Sequence, residues 1–431
     1  MAKQEVSFFW FRRDLRLEDN VGLFQALQSK YPVIPLFIFD TTILERLPNN
    51  DPRVGFIHES LAAINQKLHE LGSSLLIRNG NPLKVWDSLL KEYSIQEVFW
   101  NKDYEPSAIQ RDANVTDFLQ SKEVKVFATK DQVIFEEAEI VKADGLPYTV
   151  YTPFKNKWLE KYQSLAPVQE MDAGPYFSNF FKSDFDFPSL EQIGFVPSSI
   201  KVKPHNLKLV ANYHETRDFP ALDSTSYLSP HLRFGTVSVR KLVNWAVRKN
   251  PVFLSELIWR EFFMQILFHF PKVQNRNFKA AYDGIEWRNN EEEFKRWCEG
   301  KTGYPMVDAG MRQLNETGYM HNRVRMVVAS FLCKHLLIEW QWGEAYFAEK
   351  LLDYEMSANV GNWQWAAGTG CDAAPYFRVF NPEIQLKKFD EKGIYIRQWI
   401  AEFDLGYSQP MVEHAMARDR AIATYKAGIL K

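Results

Sequence analysis

The feature that most constrains this chain is a change of hydrophobic period partway along it. Through roughly the first 130 residues, short apolar runs alternate with segments of helical period. Residues 6–11, 33–39, 74–77, 97–100 and 124–128 read as strands. Residues 56–71 and 82–93 read as helices, and Asn79-Gly80 marks a turn. This alternation predicts a parallel, doubly wound α/β sheet. No Gly-x-Gly-x-x-Gly follows the first strand, so a dinucleotide site of Rossmann type is not indicated. From 135 to 204 the pattern breaks into Gly-, Pro-, Ser- and Asn-containing stretches, which read as a long inter-domain connector. Beyond 205 strand signal nearly vanishes, and helices are predicted at 239–248, 254–270, 307–316, 323–337 and 342–352. The expected architecture is therefore an α/β domain at 1–134, a connector at 135–204 and an all-helical domain at 205–431.

Composition narrows the function classes. Aromatic residues make up 15% of the chain, with 13 Trp and 33 Phe, which suggests stacking surfaces for rings or, more blandly, an aromatic-rich core. The net charge is −2, so a nucleic-acid partner needs a local basic patch. Cys298, Cys333 and Cys371 are scattered, without metal-ligand spacing. A reduced, cytoplasmic protein with no metal site is expected. No apolar run reaches membrane-spanning length, and the first residues lack the architecture of a signal peptide.

The densest unusual patch runs from 353 to 382. Trp363 and Trp365 are separated by one residue, preceded by Asn359 and Gly361, and followed by Ala366, Ala367, Gly368 and Gly370. Tryptophan is costly to order unless its face is covered and its N–H paired, and small residues let something flat approach the backbone. A planar ligand beside indoles fits this pattern. The run Thr225-Ser226-Tyr227-Leu228-Ser229 offers hydroxyls and N–H groups ahead of a helix, suited to phosphate or to ordinary capping. Glu256, Trp259 and Arg260 share one helix face at i, i+3 and i+4. Their apolar flanks, Leu257, Ile258, Phe262 and Phe263, argue against a plain surface ion pair.

The 353–382 segment closely resembles the flavin-binding signature of the photolyase/cryptochrome family. The resemblance runs from Val6 to near Lys426 and includes the blocks at 300–305 and 308–312. Met320-His321-Asn322-Arg323-Val324-Arg325-Met326 takes the form seen in class I cyclobutane pyrimidine dimer photolyases. The His-His pair and the Met326→Gln change that mark other branches are absent. The resemblance implies that FAD is held by Tyr213, Thr225, Ser226, Leu228, Ser229, Arg260, Arg325, Asp353, Glu355 and Asn359. Ser224 stands where a glycine is frequent, and Glu355 where an aspartate is frequent. Glu256 and Asn322 would bond the dimer's carbonyl edge, Met326 would pack on the cyclobutane, and Trp259 and Trp365 would form the wall receiving the flipped lesion. Arg217, Arg323 and Arg378 would clamp DNA, and Trp363, Trp340 and Trp287 would relay electrons. Each of these three indoles alone reads equally well as core.

Three activities follow as expectations: a light-driven lyase acting on cyclobutane pyrimidine dimers in DNA, a cryptochrome-type blue-light signalling receptor, and a DASH-type enzyme acting on single strands. Glu256, Asn322 and Met326 favour the first, in a monomer with no membrane association. Family members often carry an antenna pigment in the α/β domain. Here Tyr104-Glu105 continues into Pro106-Ser107-Ala108, without the glutamate of folate-binding members. A deazaflavin, a flavin or no antenna remain equal alternatives.

Overall fold

Strands covered on both faces must be apolar on both faces. Strands β1 (Glu5–Phe11) and β2 (Val33–Phe39) meet that condition, every residue but Glu5 being buried. With β3 (Leu76–Asn79), β4 (Ser94–Asn101) and β5 (Lys125–Thr129) they form a parallel sheet in the order β3-β2-β1-β4-β5. The computed structural model describes residues 3–165 and 167–429. The predicted doubly wound sheet is present, and the strand order reverses beside β1. Asp51, Asn81 and Asn381 each cap a helix whose first residue is proline. A proline there loses no hydrogen bond, because that N–H has no intrahelical partner.

The chain divides into two compact units, each discontinuous in sequence. The first comprises 1–139, 159–204 and 228–248, and the second 140–158, 205–227 and 249–431. Much of the stretch read as connector is therefore packed structure. It contains the helix Tyr151–Leu165. Within the first unit, Phe181 N–H donates to Val33 O at 2.9 Å, and Asn179 Nδ2 donates to the carbonyls of Leu27, Ser29 and Tyr31.

The first unit also buries a closed ionic network. Asp131 accepts from Arg16 at 2.6 Å and from Arg240 at 2.7 Å, and Arg240 Nε lies 3.0 Å from Asp19. Ser238 donates to Asp19, and Arg16 Nη1 donates to Gly235 O at 3.0 Å. The Arg240, Asp19 and Asp131 side chains are 6%, 1% and 1% exposed. Burial pushes the Asp131 carboxyl up, but Arg16 and Arg240 outweigh it and hold it below the usual carboxylate range.

In the second unit, helix Pro251–His269 is apolar nearly all round and central, as such a helix must be. It starts three residues before the predicted boundary. Asn250 Oδ1 accepts from the N–H of Val252 and Phe253 at 3.1 and 3.0 Å, and Pro251 occupies the first turn. The predicted 323–337 helix is corrected. An α-helix, Asn322–Ser330, gives way to a π-helical turn, Phe331–His335, and Leu337 takes φ 50°. Buried Lys334 sits in that turn and donates to Ala367 O at 2.7 Å and Tyr376 O at 3.2 Å. Among the described residues, no helix is long and apolar enough to cross a membrane.

Candidate functional site

Helix Pro251–His269 turns Glu256 and Trp259 to a half-buried face of the second unit. Trp259 stacks on Tyr151, ring centroids 3.5 Å apart and planes within 7°, and lies 5.5 Å from Phe263. Tyr151 is 7% exposed and its hydroxyl is 2.7 Å from Ser255 O. Tyr151 thus backs the indole and fixes its plane. It was missed in the sequence because it lies in the stretch read as connector. Trp365 is half-buried, and no close ring pair joins it to Trp259 among the described residues.

Glu256 does not pair with Arg260. Its carboxylate accepts from Arg217 Nη1 at 2.6 Å, both side chains being 30% exposed. Burial raises the Glu256 carboxyl above its ordinary value, and Arg217 offsets only part of that rise. Arg217 also lies 5.3 Å over the Tyr213 ring. The next residue, Asp218, accepts from Arg323 Nη2 at 2.6 Å, and Arg323 Nη1 approaches Met326 Sδ at 3.7 Å. This chain of contacts links the Glu256 face to helix Asn322–Ser330, whose first residue, Asn322, is exposed. His321 caps that helix through Nδ1, 3.2 Å from Arg323 N–H. Burial, with Arg323 and Arg325 nearby, pushes its imidazole down to about 4, so it accepts as a neutral ring. Arg378 is exposed, with its guanidinium 5.4 Å from the Phe380 ring.

Several of the other predicted cofactor residues are held by local pairs. Arg325 donates to Asp353 at 2.9 Å and to Met320 O at 2.8 Å. Arg260 lies 3.9 Å from Glu355, which accepts from Ser357 at 3.0 Å. Asn359 Nδ2 donates to the carbonyl and carboxylate of Glu344 at 3.0 and 2.9 Å, which commits its amide orientation. Thr225 and Ser226 are half-buried in the second unit, with Ser226 O accepting from Asn206 N–H at 2.9 Å. Leu228 and Ser229 open a helix of the first unit, where Leu228 is buried and Ser229 exposed. The left-handed backbone in this loop falls on Tyr227 (φ 55°), so Ser224 does not need to be glycine. Ser224 Oγ is buried without a partner. A buried hydroxyl left unpaired is unfavourable, and a phosphate oxygen would satisfy it. Within the second unit, Ser224, Thr225 and Ser226 fit the diphosphate of a dinucleotide cofactor.

Gly368 takes φ 88° and caps helix Met356–Ala367, and the buried carbonyl of Ala367 is held by Lys334 and Tyr425. Close approaches also occur within helices. A Cβ on Gly343 would lie 2.1 Å from the Trp363 ring, and one on Gly361 would lie 2.2 Å from Phe263. Trp363 and Trp340 are 2% and 0% exposed, and Trp287 is half-buried. Trp340 Nε1 donates to Asn277 at 2.9 Å, Trp363 meets Phe347 and Trp297 at 5.0 and 6.1 Å, and Trp287 meets Tyr425 at 5.7 Å. Among the described residues, no close ring pair joins one member of this trio to another.

The first unit holds a cavity of about 530 Å³ at the carboxyl ends of β1 and β2, where open α/β sheets bind ligands. Trp10, Phe37 and Leu83 give it apolar walls, and Arg12, Arg13 and Arg233 a charged rim. Each arginine is neutralised: Arg12 by Asp112, Arg13 by Asp103 and Glu105, and Arg233 by Glu105.

Fold and site together define a class: a doubly wound α/β unit with a heterocycle-sized cavity, and a helical unit presenting hydroxyls, paired charges and a backed indole. The models of known families identify it further. Residues 7–173 match DNA photolyase, and residues 253–405 match the FAD binding domain of DNA photolyase. The chain is 36% identical to the deoxyribodipyrimidine photo-lyase of Agrobacterium fabrum, with 97% of each chain covered. Among solved structures it resembles a bacterial class III photolyase from Agrobacterium tumefaciens (TM-score 0.88, 34% identity, covering 100% and 99% of the two chains). It also resembles an archaeal photolyase from Sulfolobus tokodaii (TM-score 0.83, 33% identity, 98% and 100%). The chain belongs to the DNA photolyase family, and its helical unit carries that family's FAD-binding domain.

Proposed function

We propose that this protein splits cyclobutane pyrimidine dimers in DNA under blue light. The observation that carries this reading is the continuous polar face Glu256–Arg217–Asp218–Arg323–Met326 beside the backed indole of Trp259. The chemistry that reduced FAD supplies when bound is light-driven transfer of one electron to the dimer and its later recovery. Thr225, Ser226 and Ser224 would hold its diphosphate, and Arg260, Arg325, Asp353, Glu355 and Asn359 would orient its ring. The chain's own work is positioning and electrostatics. A damaged pair costs less to extrude than an intact one, and the handling of flipped bases is general to enzymes of this kind. Trp259, held flat by Tyr151, stacks on the extruded bases. Glu256 hydrogen-bonds the carbonyl/imine edge of a thymine, and Asn322 adds a second hydrogen bond. Met326 fills the space against the cyclobutane ring. The α/β cavity would take a second chromophore, and the Sulfolobus tokodaii photolyase is described with two FAD molecules.

The test is repair of a dimer-bearing duplex, and of the same strand unpaired, by FAD-loaded protein in blue light and in darkness. Light-dependent loss of dimers from the duplex is expected. FAD-loaded protein that leaves dimers intact in both settings would refute the repair reading and favour signalling.

A further inference from the structure

The last helix among the described residues, His414–Ile429, docks through a face of small residues and one ring. Ala417, Ala421, Tyr425 and Gly428 are its buried positions, and their spacing of three or four residues puts them on one face. A Cβ on Gly428 would lie 2.8 Å from the Ile285 backbone, so that face is closely seated. The polar contacts across the seam converge on the buried π-helical turn Phe331–His335. His335 Nε2 lies 2.9 Å from His414 Nδ1, Arg420 Nη2 donates to His335 O at 2.5 Å, and Lys334 Nζ sits 3.6 Å over the Tyr425 ring. Among the described residues, no carboxylate forms an ion pair with Lys334, His335, His414 or Arg420. The seam is lined with groups that are cations or can become cations.

The His335–His414 contact tolerates only one arrangement of protons. It needs one N–H and one lone pair. The His335 ring stacks on Phe331 with centroids 4.7 Å apart, and its Nδ1 is buried without a partner. A buried N–H without an acceptor is unfavourable, so the His335 proton belongs on Nε2 and the lone pair on His414 Nδ1. A proton added to His414 sets a second donor against the first, or drives the His335 proton onto Nδ1. A proton added to His335 places a charge and an unsatisfied N–H in an apolar site. The neighbours do not rescue either form. Burial, with His414 and Arg420 nearby, pushes His335 down to about 3. Burial and Arg418 also hold His414 below its ordinary value, against the opposite pull of Glu413, Glu383 and Asp419.

We infer that helix His414–Ile429 is an acid-released latch, docked while His335 and His414 are both neutral and detached once either takes up a proton. Tyr425 meets the half-buried Trp287 edge-on at 5.7 Å, so release uncovers one side of that indole. Both histidines are depressed from an ordinary value near 6.5 in the docked state. Docking is therefore fully stable above that pH and weakens as pH falls below it. Lys334 acts over a separate window, from about 7 docked to an ordinary 10.5, which leaves the acid response to the two histidines.

The experiment is amide hydrogen exchange of the full, FAD-loaded chain, read by mass spectrometry and corrected for the intrinsic effect of pH on exchange. Bound flavin and circular dichroism serve as folding checks. Exchange across 414–429 is expected to accelerate by about 10- to 30-fold between about pH 7.5 and about pH 5, while helix Pro251–His269 stays protected. His414→Asn keeps an acceptor where Nδ1 stands but takes up no proton, and His335→Gln keeps a donor near Nε2. Each should reduce the acceleration, and the double variant should hold it below about 3-fold. Equal protection of 414–429 at both pH values in the wild type overturns the proposal. So does a wild-type response in the double variant, or loss of protection in helix Pro251–His269 in step with 414–429, which is acid unfolding of the unit. His414 is only half-buried, so where His335→Gln fails to load flavin the single variant His414→Asn decides, and an acceleration equal to the wild type overturns the latch.

Discussion

The two units use charge in opposite ways. In the first, Arg16 and Arg240 are sealed around Asp19 and Asp131, all four side chains at most 9% exposed and their carboxylates satisfied from several sides. In the second, Arg217–Glu256 and Arg323–Asp218 are single pairs, 18–39% exposed. A buried pair loses so much hydration that it persists only when its geometry is complete, and removing one partner strands the other. A half-exposed pair contributes little to stability and can exchange partners at small cost. The closed network therefore locks backbone segments together, whereas the open pairs keep cations available for an incoming anion.

The strongest way to break this comparison is Arg240→Ala. It strands Asp19 and Asp131 in the core and should cost about 3–5 kcal/mol of stability in a denaturant melt. A loss below about 1 kcal/mol would mean that the network is not closed. Because Asp131 is held below its ordinary value near 3.8, its contribution is present above that pH and lost as pH falls below it. Acid unfolding should therefore begin at higher pH in the variant. Next in size is Trp259→Ala, which leaves the fold near intact but removes the stacking face. Dimer affinity should fall by about 1–3 kcal/mol, roughly 5- to 150-fold, as read by anisotropy.

Lys334 sharpens the comparison from a third side, as a buried amine with no ion pair to a carboxylate among the described residues. Its Nζ lies 3.6 Å over the Tyr425 ring and donates only to carbonyls, and burial pushes its pKa down to about 7. The unfolded chain holds that proton up to the ordinary lysine value near 10.5, so unfolding takes up a proton in between and stability should rise with pH across that window. Lys334→Met should flatten the rise in melts from pH 7 to 10. The smallest effect belongs to Arg217→Ala. Its stability loss should stay within about 1 kcal/mol, with the larger change appearing in dimer binding. A stability loss as large as that of Arg240→Ala would erase the distinction between the two regions.

Much of the first unit was legible in the chain. Its central strands β1 and β2 are apolar runs buried on both faces, and all five predicted strands fell within a few residues of the observed β1 to β5. Boundaries slipped where side chains set them, as at Asn250-Pro251. The stretch read as connector holds the helix Tyr151–Leu165 and, beyond it, backbone whose hydrogen bonds go to distant residues, such as Phe181 to Val33. Local periodicity carries no trace of such bonds.

For the site, spacing along one helix placed Glu256 and Trp259 together, because a period of 3.6 residues puts i and i+3 on the same face. Residue types also marked the aromatic segment at 353–382, which lies within the match to the FAD-binding domain, whereas the hydroxyl-rich run at 225–229 lies outside it. Partner choice was beyond the sequence. Glu256 pairs with Arg217, 39 positions away, instead of Arg260. Trp259 is backed by Tyr151, and Lys334 closes the end of helix Met356–Ala367 through Ala367 O. Periodicity is a short-range property of the backbone and survives in the order of residues. Which buried charge or ring finds which partner depends on desolvation and close packing, and these exist only once distant segments have been brought together.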